Sequence, residues 1–330
     1  MQQKTFPAEF YINGILSRDR VILSKAITII ESTRKTDELR AEEIIQGCLK
    51  VNKISKRIAI TGAPGAGKST LLNALGKFLL KNGESMAVLA IDPSSSISKG
   101  SILGDKTRME DIANNEKVYI RPTASSNSLG GVARKTRETI LLCEAFGFDY
   151  IFVETVGVGQ SEIMAKNMTD LFILLLLPNA GDELQGIKRG IMEMADIILI
   201  NKSDKSTETT SKIAAAQVKN ILHLFSDTEK EWTPQVLNTS SLENTGLEAL
   251  EETIESYFIK ITNSGFIQHM RTQQQLSWME ENIVSYLSNY INSNESIACL
   301  KQELKEKIKD NSIDANRAAK LIVEKIVGKL

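Results

Sequence analysis

The stretch Arg57-Ile58-Ala59-Ile60-Thr61-Gly62-Ala63-Pro64-Gly65-Ala66-Gly67-Lys68-Ser69-Thr70 contains Gly62-x-x-x-x-Gly67-Lys68-Ser69, the spacing of a phosphate-cradling P-loop. The glycines let the backbone curl so that successive N–H groups point inward. The positive end of the following helix adds to that field. Lys68 would place its charge on the β/γ-phosphates, and the Ser69 hydroxyl would ligate Mg²⁺. The competing account is a Gly-rich strand–helix turn with a chance Lys-Ser. A β-type run before and a helical run after the motif argue against it. A nucleoside triphosphate is the predicted ligand.

Two further groups stand where strands should end. Glu154-Thr155-Val156-Gly157 puts a carboxylate at the close of an apolar run, with glycine shortly after. Glu154 could hold Mg²⁺ through water, and the Gly157 N–H could bond the γ-phosphate and move when it leaves. An idle carboxylate on a buried strand would be costly. Asn201-Lys202-Ser203-Asp204 has a base-reading pattern. The Asp204 carboxylate accepts from the guanine N1–H and 2-amino edge, which adenine does not offer; the Lys202 stem lies along the base, and Asn201 braces the loop. Ser240-Ser241-Leu242 follows the next strand and is the matching place for a backbone contact to guanine O6. GTP rather than ATP is expected.

These residues need a scaffold, and the hydrophobic pattern supplies one. From Lys56 onward β-runs alternate with helical runs, the mark of a mostly parallel sheet covered on both faces. Strands are expected at Arg57–Thr61, Ala87–Ile91, Val118–Arg121, Tyr150–Val153, Leu171–Leu177, Ile197–Ile200 and Gln235–Asn238. Helices are expected at Ser69–Leu80, Arg134–Ala145, Ile187–Met194, Thr210–Leu224 and Leu247–Phe258. In such sheets ligands sit beyond the carboxyl ends of the strands.

Other strand ends carry polar residues of less decided purpose. Asp92 and Asp105 are candidates for positioning metal or water; an Asx-turn at Asp92 and a solvated loop charge at Asp105 compete. In a chain with a P-loop, positioning of metal or water is favoured for both. The loop from Arg121 to Ala133 is equally a flexible functional loop or a helix-entry turn. The segment Pro178–Gly190 is polar and glycine-punctuated, and an acid-rich helix start explains it as well.

Before this region, residues 1–55 read as a helical layer, with Ile12, Ile15, Leu16, Ile22, Leu23, Ile27 and Ile30 at helical spacing and a further helix over Glu38–Leu49. After it, residues 265–330 read as three helices, through Phe266 to Ile291, Ile297 to Ile308 and Leu321 to Ile326. Packing within the chain and burial against a second copy are equally weighted for this tail. The nucleotide domain between them is expected to span 56–264.

Composition sets limits. At 330 residues, with 42% hydrophobic and 25% charged side chains, the chain is an ordinary globular protein with room for one large domain and appendages. A formal net charge of −1 offers no bulk attraction for nucleic acid or an anionic membrane. Cys48, Cys143 and Cys299 are far apart and the chain has two histidines, which indicates neither a disulfide framework nor a zinc site. The run Leu171–Leu177 is too short to cross a bilayer. No signal segment is evident at Met1–Phe6. A cytoplasmic location is expected, with no membrane and no nucleic acid as partner.

The order of these motifs resembles the methylmalonyl-CoA mutase-associated GTPases, the MeaB/ArgK-type members of the metallochaperone-related P-loop GTPases. The specific runs are Ser101-Ile102-Leu103-Gly104-Asp105-Lys106-Thr107-Arg108-Met109, Glu154 to Glu162, and Gly181-Asp182-Glu183-Leu184-Gln185-Gly186-Ile187-Lys188. Asn179 and Ser203 depart from the family's usual Gly and Ala. The resemblance covers nearly the whole chain. It implies an α/β P-loop fold with an N-terminal helical layer and a C-terminal helical dimerisation arm. It implies a GTP-hydrolysing chaperone of an adenosylcobalamin-dependent acyl-CoA mutase, cycling between GTP and GDP and gating cofactor loading. By that resemblance Ser69, Asp92, Asp105 and Glu154 surround Mg²⁺ and the γ-phosphate. Asp182, Glu183, Gln185 and Lys188 belong to a switch that the mutase reads, and the tail forms a homodimer. A metal-inserting GTPase and an ArgK-type transport-linked kinase are the alternatives.

Overall fold

The structure is a computed structural model and describes residues 6–50, 54–91, 109–122, 129–155, 160–178, 189–223 and 231–328. In chain order its elements are α1 (Ala8–Leu16), α2 (Arg20–Glu31), α3 (Lys35–Cys48), β1 (Lys56–Gly62), α4 (Lys68–Lys81), β2 (Met86–Ile91), α5 (Glu110–Ala113), β3 (Val118–Pro122), α6 (Leu129–Phe146), β4 (Tyr150–Thr155) and α7 (Gln160–Lys166). There follow β5 (Leu171–Leu176), α8 (Arg189–Met194), β6 (Ile197–Ile200), α9 (Glu208–His223), β7 (Gln235–Asn238), α10 (Leu247–Asn263), α11 (Phe266–Ser293), α12 (Glu295–Lys309) and α13 (Ala315–Ile326). Two compact units divide the chain, Met1–Thr272 and Gln273–Leu330.

In the first unit the near-continuous apolar runs pair as a parallel sheet in the order β3-β2-β4-β1-β5-β6-β7. Strands buried on both faces read in this way because helices cover both sides. From β1 the chain first builds toward β3 and then crosses to β5, so the topology switches around β1, the place where sheets of this kind bind ligands. One face packs Ala59, Val153 and Leu174 against Leu23, Ile27, Ile44, Ile140 and Val218. The other packs Ile60, Phe152 and Ile173 against Leu71 and Leu75 of α4 and Leu250, Ile254 and Tyr257 of α10.

The N-terminal helices form the expected layer. The Asp19 side chain accepts from Val21 N and Ile22 N, which caps α2. The layer is tied to the sheet edge where Arg121 pairs with Glu31, and Tyr119 and Ser24 join their hydroxyls at 3.2 Å. In the second unit α12 and α13 pack as a hairpin, with Ile297, Leu304 and Ala318 buried. Asn294 and Asp314 cap their N-termini.

One boundary differs from the expectation in an informative way. Helix α6 begins at Leu129, ahead of the expected Arg134, and takes Gly130-Gly131 into its first turn. Thr136 and Thr139 donate back to Val132 O and Lys135 O at 2.8 Å, and α6 packs on α2 and α3, so tertiary packing outweighs the poor helix propensity of two glycines. Helix α7 was not expected at all; at Gln160–Lys166 it is too short for periodicity to reveal.

Candidate functional site

Strand β1 runs straight into the phosphate loop. Gly67 has φ +94° and precedes α4, so the backbone turns sharply and the first helical N–H groups face the loop. Lys68 is buried, and its Nζ donates to Gly62 O at 2.8 Å and to Ala63 O at 3.1 Å, folding the side chain back to the start of the Gly62–Gly67 loop. The ammonium therefore lies at the mouth of its own loop. Thr70 is exposed on the first turn of α4.

Ser69 lies at the start of α4 and Glu154 on β4, and the Ser69 hydroxyl donates to Glu154 Oε1 at 3.0 Å. Ladder pairing of Ile60 with Glu154 brings the carboxylate to the level of the loop. A hydroxyl and a carboxylate meeting at a helix N-terminus are hard oxygen donors of the kind Mg²⁺ takes alongside phosphate and water. Among the described residues no group of three or more His, Cys, Asp or Glu that could hold a metal ion occurs. Asp92, Asp105, Gly157, Asp182, Glu183, Gln185 and Lys188 lie outside the described residues.

Asn201–Asp204 and Ser240–Leu242, expected at the base, lie just after β6 and β7. Asn201 follows β6 and is almost fully buried; its Nδ2 donates to Ala66 O at 2.8 Å, and its Oδ1 accepts from Ser241 Oγ at 3.0 Å and Thr239 Oγ1 at 3.3 Å. One amide thus ties the phosphate loop to both loops at the base end. Lys202 takes φ +58°, which turns the chain outward, and Thr207 closes the loop through Lys202 O at 2.6 Å. Ser240 Oγ donates to Asp204 Oδ1 and accepts from Glu243 N at 3.0 Å. Leu242, between these tethered residues, is 79% exposed.

The structure therefore brings Gly62–Thr70, Glu154, Asn201–Asp204 and Ser240–Leu242 to one edge of the sheet. Thr239 was not singled out in the sequence. Its signal was its position, one residue beyond β7, where the carboxyl-end rule directs attention.

Comparison with known proteins agrees with this geometry. The family model "Methylmalonyl Co-A mutase-associated GTPase MeaB" matches residues 23–296. A probable GTPase of Mycobacterium bovis is 42% identical over 306 residues, covering 93% of this chain and 91% of its own. GTPase ArgK of Escherichia coli is 39% identical, covering 95% of each chain. A mouse protein named methylmalonic aciduria type A homolog, mitochondrial, is 37% identical, covering 94% of this chain and 77% of its own. The solved structure of a LAO/AO transport system kinase superposes with a TM-score of 0.76 at 33% identity, covering 97% of both chains. The site is that of a P-loop GTPase that binds guanine nucleotide and hydrolyses GTP. The chain belongs to the methylmalonyl-CoA mutase-associated GTPase family, MeaB.

Proposed function

We propose that this GTPase is a chaperone of an adenosylcobalamin-dependent acyl-CoA mutase, most closely methylmalonyl-CoA mutase, whose cofactor loading it gates and whose activity it protects. The observation that carries the reading is the match of residues 23–296 to a family named for that mutase. Its support is widened by the mouse relative named for methylmalonic aciduria.

Within the site, hydrolysis rests on charge stabilisation and water positioning rather than covalent chemistry. The amides of Gly62–Lys68 and the Lys68 ammonium hold the phosphates. Asp204 reads the guanine edge, with Lys202 along the base and the Ser240–Leu242 backbone at O6. Ser69 and Glu154, joined by Asp92 and Asp105, would hold Mg²⁺, which would neutralise charge between the β- and γ-phosphates. Glu154 and Gly157 answer to the γ-phosphate. Asp182, Glu183, Gln185 and Lys188 form the segment through which the mutase reads nucleotide state. The 1–55 layer, the 56–264 nucleotide domain and the 265–330 arm are the working divisions. The arm makes a homodimer; in support, Leu276, Met279, Ile283, Tyr286 and Tyr290 are 44–50% exposed at alternating three- and four-residue spacing along α11. A cytoplasmic location goes with this reading, supported by three unpaired cysteines. Among the described residues no helix is long and apolar enough to cross a membrane.

The test is a pull-down with an adenosylcobalamin-dependent mutase under a GTP analogue and under GDP, with hydrolysis measured in parallel. Nucleotide-dependent binding and faster turnover are expected; no binding in either state would overturn the client assignment. A transport-linked kinase is the second reading, favoured by the likeness to the LAO/AO transport system kinase at TM-score 0.76. Phosphate transfer from ATP to a protein acceptor, with ATP outcompeting GTP, would select it.

A further inference from the structure

The carboxyl ends of β1 and β4 are joined by a pair of buried hydroxyls. Thr155 Oγ1 donates to Thr61 Oγ1 at 2.8 Å, and the two residues are 0% and 1% exposed. The β1–β4 ladder ends at the pair Ile60↔Glu154, so this side-chain bond is the next link along both strands. Past Thr61 the chain enters the phosphate loop at Gly62. Thr155 is the last residue of β4.

Side chains alternate along a strand, which sets the two functions of this corner apart. Glu154 shares a face with Ile60 and Phe152 and meets Ser69. Thr155 and Thr61 share the opposite face with Val153 and Ala59, under the α6 side of the sheet. Leu174 and Leu176 of β5 belong to the same apolar layer, so valine would fill either threonine site with nearly the same shape. Two hydroxyls in such a place need each other. Their bond is separate from those that brace the base-end loops and the lysine of the phosphate loop. What it holds is the spacing between the root of the phosphate loop and the end of β4 that carries Glu154.

The geometry points to Thr61 and Thr155 as positioning residues for GTP hydrolysis: their hydrogen bond holds the ends of β1 and β4 together and so fixes the Glu154 carboxylate on Ser69. This rests on the role proposed above for Glu154 at the γ-phosphate. Ground-state binding is spread over the phosphate loop and the Asn201-braced base loops, so a slackened corner leaves it in place. Hydrolysis needs the carboxylate within a fraction of an ångström, and small misplacements cost large factors in rate.

The experiment is steady-state GTP hydrolysis by the full-length protein carrying Thr155→Val, Thr155→Ser, Thr61→Val, and Thr61→Val with Thr155→Val. Thr155→Val is expected to lower kcat about 10-fold with KM for GTP within about twofold, a loss of transition-state rather than uniform binding. Thr155→Ser should recover most of the rate. The double variant should be no slower than either valine single, since one bond is lost in all three. A cooperatively folded Thr155→Val with kcat within twofold of the parent overturns the inference. So does a serine variant as slow as valine, or single effects that multiply in the double. If Thr155→Val does not fold, Thr61→Val and Thr61→Ser carry the same comparison of lost and retained hydroxyl. Glu154→Gln separates the two levels: unchanged turnover there sinks the role of Glu154, whereas slowed turnover there with a normal Thr155→Val sinks only the threonine pair.

Discussion

The side-chain amide of Asn201 donates to Ala66 O at 2.8 Å, so the residue that opens the Asn201–Asp204 segment is bonded to the P-loop. Its oxygen at the same time accepts from Ser241 and Thr239. The phosphate loop and the loops after β6 and β7 are thereby joined through one buried side chain. Asn201→Ala deletes three hydrogen bonds, each worth about 1 kcal/mol net, and leaves their partners buried. GTP and GDP affinities should fall together by about 10- to 100-fold, measured by titration calorimetry, with the ratio between them little changed.

Gly67 is where this brace meets the backbone. A Cβ there would stand 2.5 Å from Asn201 Nδ2, on a residue whose φ is +94°. Left-handed backbone costs a non-glycine residue about 1–3 kcal/mol, and the collision adds to it. Gly67→Ala should reduce GDP affinity at least 10-fold. Introduced beside Asn201→Ala it should cost distinctly less, because the clashing atom has gone; equal costs in both backgrounds would remove the collision from the account.

The sheet was legible because parallel strands buried on both faces leave unbroken apolar runs. Ile197–Ile200 and Gln235–Asn238 match the sequence reading residue for residue, and Tyr150–Thr155 extends it by two. The site was legible where loop position follows from strand ends: Lys68, Ser69, Glu154, Asn201 and Asp204 all lie at one edge. Gly130-Gly131 misled because glycine marks a turn only until packing on α2 and α3 decides otherwise. The Thr61–Thr155 pair was hidden for another reason. Threonine is a good strand residue in its own right, and only the three-dimensional register puts the two hydroxyls together.

The cysteines should differ sharply in reactivity. Burial pushes the Cys48 thiol up to about 11 and the Cys143 thiol higher still, so both stay protonated near neutral pH. Cys299 is exposed on α12. Thiolate is the reactive form, so a disulfide reagent at pH 8 should label Cys299 rapidly and the other two only after unfolding. The same shifts carry a sign for stability. Thiols that titrate higher when folded favour the native state at lower pH, and this contribution is lost as pH rises past the ordinary thiol value of about 8.5. Urea midpoints should therefore decline from pH 8 to 10, and less steeply in a Cys143→Ala variant.

Away from the nucleotide edge, Arg271 joins an ion-pair cluster at the amino ends of the strands of the first unit. Its Nε and Nη2 donate to the two oxygens of Asp170 at 2.9 and 2.6 Å, and Nη2 also donates to Ser55 O at 2.8 Å. Nη1 reaches Glu144 at 3.3 Å, and Glu144 in turn pairs with Arg57. Burial works against the guanidinium, but Asp170 and then Glu144 more than offset it, holding Arg271 above its ordinary value. Removing one member leaves a carboxylate buried without its counter-charge, which costs about 3–5 kcal/mol, far more than the pair itself contributes. Arg271→Met should lower the unfolding free energy of the first unit by about that amount in urea. Adding Asp170→Asn should recover part of the loss, because the stranded charge is then gone. Recovery by the second change, rather than further loss, is the result that distinguishes an uncompensated charge from simple loss of packing.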